Sequence, residues 1–170
     1  DMLITGIIQI GAHYGEENPT YDQLGISKRL FFEPLSSNIK ILIANIRDYP
    51  IIQLALGNAN KTVTLFTETA NQGMSSSILK PALHLQQFPH VQFDGTEEVE
   101  MRRLDDLGLD LSGFNLMVID VQGYELEVFK GAAITLEHID YIVSEINRAE
   151  LYVDCARVEQ VVGFLAPYGF

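Results

Sequence analysis

Residues 115–131 read NLMVIDVQGYELEVFKG, and the rest of the chain falls into place outward from them. The apolar run Leu116, Met117, Val118, Ile119 stops at a carboxylate, Asp120. Gly123 then supplies a turn, and a segment of helical character carrying Glu125 begins. Apolar strand, acidic tip, glycine turn and helix together make the crevice side of an open α/β sheet, where such folds bind small ligands.

The same alternation runs through the flanking sequence. Residues 3–10 are apolar and β-branched and read as a strand, ending at Gly11-Ala12-His13-Tyr14-Gly15. Glu16 and Glu17 suit the first turn of a helix, whose dipole favours negative charge there. Leu30-Phe31-Phe32 is a second strand, closed by Glu33-Pro34. Ser36 or Ser37 is placed to cap the next helix, and Leu35, Ile39, Leu42, Ile43 and Ile46 fit its 3.6-residue period. Residues 51–56, 62–66, 99–104 and 141–146 read as further strands, and 69–77 as a polar loop. Val158, Val161, Val162 and Leu165 mark one face of a last helix. Strands alternating with helices imply parallel pairing through right-handed crossovers. The expected fold is therefore a doubly wound α/β sheet in a single domain over residues 1–170.

Composition narrows the class. A chain of 170 residues fits one domain with a sizeable core, and 47% hydrophobic with 20% charged residues excludes a disordered chain. No apolar run approaches the ~18 residues that span a bilayer, and no basic-then-apolar leader opens the chain, so a cytoplasmic location is expected. Asp1 is not a natural start, so flanking sequence is expected beyond this stretch. Cys155 is the single cysteine, which excludes an internal disulfide and a thiolate metal cluster. The net charge is −12, and the 11 Lys and Arg are thinly spread. That balance disfavours nucleic acid, polyanionic substrates and anionic membranes, and suits a small neutral or cationic ligand.

Four features converge on one crevice. The glycine turn after the first strand lets backbone approach a ligand, beside a helix N-terminus. Glu33 ends the second strand 22 residues after Gly11, where an acid can accept hydrogen bonds from both ribose hydroxyls of an adenosine ligand. A solvated surface glutamate is the plain alternative. Ala55-Leu56-Gly57 offers a small apolar strand end to a flat base, or simply packs in the core. Asp120 is the fourth. The turn is G-x-x-x-G, lacking the G-x-G-x-x-G that seats a pyrophosphate, and no Walker lysine follows. A ligand combining adenosine with a sulfonium, S-adenosylmethionine, suits the acidic lining better than NAD or ATP.

The segments Ile10-Gly11-Ala12-His13-Tyr14-Gly15-Glu16-Glu17, Phe32-Glu33-Pro34, Ala55-Leu56-Gly57, Ser75-Ser76-Ser77, Leu104-Asp105 and Ile119-Asp120-Val121-Gln122-Gly123-Tyr124-Glu125 resemble, in order, the FkbM family of S-adenosylmethionine-dependent methyltransferases. The resemblance implies a class I methyltransferase (Rossmann-like) fold whose last antiparallel strands would follow Gly169. It also implies methyl transfer, usually to a hydroxyl oxygen, with sugars and other hydroxylated small molecules as acceptors. In that family the glycine turn approaches the cofactor and the acid matching Glu33 holds its ribose. The expected cofactor-lining set is Gln9, Gly11, Ala12, His13, Glu33, Pro34, Asn38, Ala55, Leu56, Ser76, Asp120 and Gln122. Gln9 stands where the family often has an aspartate.

Alcohol methylation needs alignment and a base for the hydroxyl proton. Asp120 is the first candidate base and Glu145 the next. A magnesium ion held by Asp120, Glu145 and Asn147 is a less favoured variant. His13 serves as a base or merely packs beside its turn, and His84 and His90, six residues apart, form no zinc motif and suit surface or lid positions. Ser75-Ser76-Ser77 lacks a nucleophile-elbow context, and reads as a loop that touches ligand or a flexible turn. The rival functions are a catalytically silent adenosine-ligand module and a nucleotide-dependent oxidoreductase.

Overall fold

The computed structural model of the protein describes residues 3–170. Its main sheet is five-stranded and wholly parallel: β1 (Ile7–Ile10), β2 (Arg29–Phe32), β3 (Ile51–Ile52), β7 (Leu116–Ile119) and β8 (Tyr141–Ser144), in the order β3-β2-β1-β7-β8. Ile8 pairs with Leu30 on one side and Met117 on the other, so β1 is the central strand. The chain runs outward from β1 to β2 and β3, then returns to β7 and runs the other way to β8. The reversal lies between β1 and β7, the position at which a doubly wound sheet opens a crevice.

The short strands are apolar on both faces because helices cover both. Ile8, Ile10, Leu30, Phe32, Met117 and Ile119 pack against Val128 and Phe129 of α4 (Glu125–Gly131) and Val161 and Leu165 of α5 (Val158–Leu165). The alternate residues Ile7, Phe31, Leu116 and Val118 meet Tyr21 of α1 (Asn18–Gln23) and Ile39 and Leu42 of α2 (Ser36–Asn45). Two polar side chains share that second face, Gln9 and Arg29, each 3% exposed. Arg29 is satisfied by the Ile26 carbonyl, Asn18 Oδ1 and Asp22, and its guanidinium lies over the Tyr49 ring at 4.4 Å.

Several expectations are corrected. Residues 51–56 do not form one strand. Leu54 N donates to the Ile52 carbonyl, a tight three-residue turn that swings the chain out of the main sheet. Ile51–Ile52 then pairs with β2, while β4 (Ala55–Leu56) joins a second sheet of order β4-β6-β5. That sheet is mixed: β5 (Lys61–Glu68) and β6 (Phe93–Arg102) are antiparallel, so parallel pairing does not extend to the whole chain. The first helix starts at Asn18, with Pro in its first turn, and Glu17 is its N-cap. Leu35 occupies the N-cap of α2 in extended conformation, and the Ser36 hydroxyl bonds Glu97 instead of capping. Ile43 and Val162 are 54% exposed, so each helix buries a narrower stripe than its apolar residues suggest. His84 lies in a short helix, α3 (His84–Gln87), is 4% exposed, and packs on Phe88, Phe93 and Tyr152 rather than at the surface.

Candidate functional site

A cavity of about 360 Å³ opens over the C-terminal ends of the central strands, a volume in the range of small-ligand sites. Its floor is the turn after β1. Gly11 N and Ala12 N both donate to the Phe32 carbonyl, at 3.0 and 2.9 Å, laying the turn flat across the sheet. Gly11 has φ +80, and a Cβ there would sit 1.8 Å from the Asp120 carbonyl oxygen. Only glycine lets the β1 and β7 ends come this close.

Glu33, just past β2, faces the cavity yet is 4% exposed. Its Oε2 accepts from His13 N and its Oε1 from Leu35 N, both at 2.9 Å, with Asn38 Nδ2 3.4 Å from Oε1. Burial pushes its carboxyl up to about 7, against the pull of those N–H groups. Pro34, Leu35, Leu54, Ala55, Leu56 and Ile78 form an apolar wall beside it.

Residues 69–77 cross one side of the cavity, contributing Asn71, Gly73, Met74, Ser75 and Ser76. Glu68, 2% exposed, accepts from Asn71 N at 2.6 Å and Ser75 N at 3.2 Å. The loop is tied to the glycine turn at Gln72, whose carbonyl lies 2.9 Å from His13 Nε2 and 3.3 Å from the Tyr14 hydroxyl. His13 Nδ1 meets Glu16 Oε1 at 2.6 Å, so both ring nitrogens are engaged.

The lining is also acidic, with Glu16, Glu17, Asp120 and Glu145 contributing to it beside Glu33. Among the described residues around the cavity there is no Lys or Arg. Asp120 follows the last residue of β7 and Glu145 the last of β8, so adjacent parallel strands deliver the two carboxylates side by side. Gln122 Nε2 donates to Asp120 Oδ1 at 2.7 Å and lies 3.5 Å from Glu145 Oε2. Burial and the neighbouring Glu145 charge raise the Asp120 carboxyl to about 6, while Gln122 opposes them. Gln122 itself has φ +54, a conformation in which side chains are uncommon. It is held there by the Ser77 hydroxyl, which donates to its carbonyl at 2.8 Å, and by the Tyr152 hydroxyl, 3.0 Å from its Oε1. Glu125, 2% exposed, braces the same turn by accepting from Val121 N and Gly123 N.

Eleven of the twelve expected cofactor-lining residues do line this cavity, as does Glu145; Gln9 does not. Gln9 Nε2 instead donates to Glu17 Oε2 at 2.7 Å, and its Oε1 receives the Tyr21 hydroxyl at 3.0 Å. Asn147 is also outside the lining, and no three His, Cys, Asp or Glu side chains gather as a metal site among the described residues. The donor set available to a hard cation is thus two carboxylates. Sequence reasoning missed Tyr152, Met74 and the site role of Glu17. Glu17 was legible only as a helix start, and Tyr152 reaches the site from 30 residues beyond Gln122, with no local signal.

No helix among the described residues is long and apolar enough to cross a membrane. The sequence profile of the methyltransferase FkbM domain matches residues 9–170. A curated relative, 2-O-methyltransferase NoeI of Sinorhizobium fredii (strain NBRC 101917 / NGR234), is 29% identical over 157 residues. The match covers 86% of this chain and 65% of that protein, so the chain spans just under two thirds of its relative's length. No solved structure matches.

Proposed function

Because the chain belongs to the FkbM methyltransferase family, we propose that it transfers a methyl group from S-adenosylmethionine to a hydroxyl oxygen of a small-molecule or glycosidic acceptor. The observation that carries this reading is the cavity's charge. A site with five lining carboxylates and no Lys or Arg among the described residues repels polyphosphates and suits a cationic sulfonium. Glu33, beside an apolar wall at the end of β2, is the group to hold the ribose, and the Ala55-Leu56 strand end would face the base. The relative's name specifies transfer to oxygen, which supports the same acceptor chemistry here.

When bound, S-adenosylmethionine supplies an already activated methyl carbon. The protein's part is to align the acceptor and receive its proton. Asp120, ionised above about pH 6, takes the hydroxyl proton, and Gln122 keeps its carboxylate oriented. Glu145 beside it makes proton uptake easier by raising Asp120's affinity for the proton.

Thermal melting with S-adenosylmethionine and S-adenosylhomocysteine, against NAD and ATP, tests this reading. A ligand at 100 times its Kd adds ~2.7 kcal/mol, about 5–10 °C for a domain of this size. A shift is expected with the first pair only, and Glu33→Ala is expected to abolish it. No shift with either would refute the assignment. Transfer of a radiolabelled methyl group to a panel of hydroxylated acceptors then separates an active enzyme from a silent binding module.

A further inference from the structure

Tyr152 is fully buried and does not line the cavity. Two segments hold it in place: Ala82 N donates to the Leu151 carbonyl and Val153 N to the Lys80 carbonyl, both at 2.8 Å. Its ring packs beside His84 and Phe93, and against Gly123, where a Cβ would sit 3.2 Å from its Cδ2. That packing aims the hydroxyl between two walls of the site. It lies 2.9 Å from the Ser75 carbonyl, on loop 69–77, and 3.0 Å from Gln122 Oε1, on the turn after β7. A core tyrosine needs only one such acceptor, and this one has two.

The hydrogen-bond directions are forced. Gln122 Nε2 faces Asp120 Oδ1 at 2.7 Å and Glu145 Oε2 at 3.5 Å. Carboxylates only accept, so the amide turns its NH₂ toward them and its oxygen toward Tyr152. Burial raises the Tyr152 hydroxyl above its usual range, and the charges of Asp120, Glu145, Glu125 and Glu68 push it the same way, so it keeps its hydrogen and donates. A phenol has a single hydrogen to give. Among the described residues neither the Ser75 carbonyl nor Gln122 Oε1 has another donor. Hydrogen given to Gln122 pins the amide against Asp120. Hydrogen given to Ser75 fastens the loop and leaves the amide free to turn.

We propose that Tyr152 is a positioning residue that couples loop 69–77 to the base, its single hydrogen divided between the Ser75 carbonyl and the amide that aims Asp120. The loop contributes Asn71, Gly73, Met74 and Ser76 to the cavity as well as Ser75. A ligand that presses on the loop therefore shifts the balance of this hydrogen, and with it the aim of Asp120. The inference rests on Asp120 as the proton acceptor in the reading above. The division of the hydrogen, however, is measurable without any acceptor molecule.

Hydrogen exchange of the peptide spanning residues 69–77, followed by mass spectrometry, reads the loop end of the coupling. Tyr152→Phe takes the hydrogen from both acceptors and is expected to speed exchange about fivefold. Gln122→Met leaves the hydrogen to Ser75 alone and is expected to slow exchange by a similar factor. Loosened packing would speed it in both variants, so faster exchange in both, or no change in either, overturns the proposal. Methyl transfer to an acceptor from the panel above reads the other end. Tyr152→Phe is expected to lower kcat about tenfold while S-adenosylhomocysteine binds as in wild type, and the double variant to lose no more than Gln122→Met alone. Additive losses overturn the coupling. If the wild-type chain transfers methyl to no acceptor, the methyltransferase reading falls, and the exchange pattern alone decides whether the hydrogen is shared.

Discussion

Replacing Glu125 with glutamine is expected to become steadily more favourable, relative to wild type, as pH rises. Glu125 is 2% exposed, and its Oε1 accepts from Val121 N at 3.2 Å and Gly123 N at 3.0 Å. Burial, the largest cause, pushes its carboxyl from 4.5 to about 7, with Asp120 adding to the rise and the N–H groups opposing it. Between those two values the folded protein keeps a proton that the unfolded chain has released. Its contribution to stability is therefore complete below the unfolded value and is lost as pH climbs through about 7. At 1.36 kcal/mol per pKa unit, the loss between pH 5 and pH 8.5 is about 3 kcal/mol. Glutamine keeps a carbonyl oxygen for both N–H groups and never ionises. Its NH₂ takes the place of Oε2, and leaving that group without a partner costs about 1–3 kcal/mol at every pH. The variant should thus be about 1–3 kcal/mol less stable than wild type near pH 5 and level with it or better at pH 8.5. Urea unfolding followed by circular dichroism at pH 5, 7 and 8.5 measures the difference, with unchanged m-values as the control for two-state behaviour. A destabilisation of the same size at all three pH values would refute the account of Glu125 as a buried, proton-holding brace.

Four further outcomes follow from the geometry. Gly11→Ala forces a methyl group to within 1.8 Å of the Asp120 carbonyl oxygen, and should cost about 3 kcal/mol or more by thermal melting, together with ligand binding. Asp120→Asn is expected to leave the S-adenosylhomocysteine-induced thermal shift in place while cutting methyl transfer about 10²–10⁴-fold. In the wild-type enzyme, transfer should fall as pH drops below about 6, where Asp120 takes up a proton. Tyr152→Phe removes the hydroxyl that lies 2.9 Å from the Ser75 carbonyl and 3.0 Å from Gln122 Oε1, and should lower stability by about 1–2 kcal/mol. A melting point equal to wild type would mean those contacts are not made in solution.

Much of the site was legible because it sits where strands end. Gly11, Glu33, Asp120 and Glu145 each follow a short apolar run, and parallel strands in one sheet deliver their ends to one side. Gln9 shows the limit of that logic. It lies one residue before Ile10, at the end of the same strand, but side chains alternate along a strand and this one faces the α1–α2 layer, away from the cavity. The second sheet was read less well. A run such as 51–56 looks like one strand whether or not a turn divides it, and the Leu54–Ile52 hydrogen bond that does so involves only backbone. The burial of His84 was hidden for a related reason. Its neighbours Phe93 and Tyr152 come from distant parts of the chain.

The sequence alone determined the layered α/β architecture, since apolar strands with period-3.6 helices between them bury their faces in few other ways. It also determined part of the acidic character of the site, because Glu33, Asp120 and Glu145 occupy strand ends and no run of Lys or Arg offsets them. Tertiary structure decided which carboxylates work together and which side chains steer them. The Asp120–Glu145 pairing depends on β7 lying beside β8. The directions of Glu17 and Gln122 depend on Gln9, Tyr21 and Tyr152, whose polar atoms meet them only once the core has closed. Local pattern records what a residue prefers, whereas a hydrogen bond across the fold depends on distances that packing alone sets.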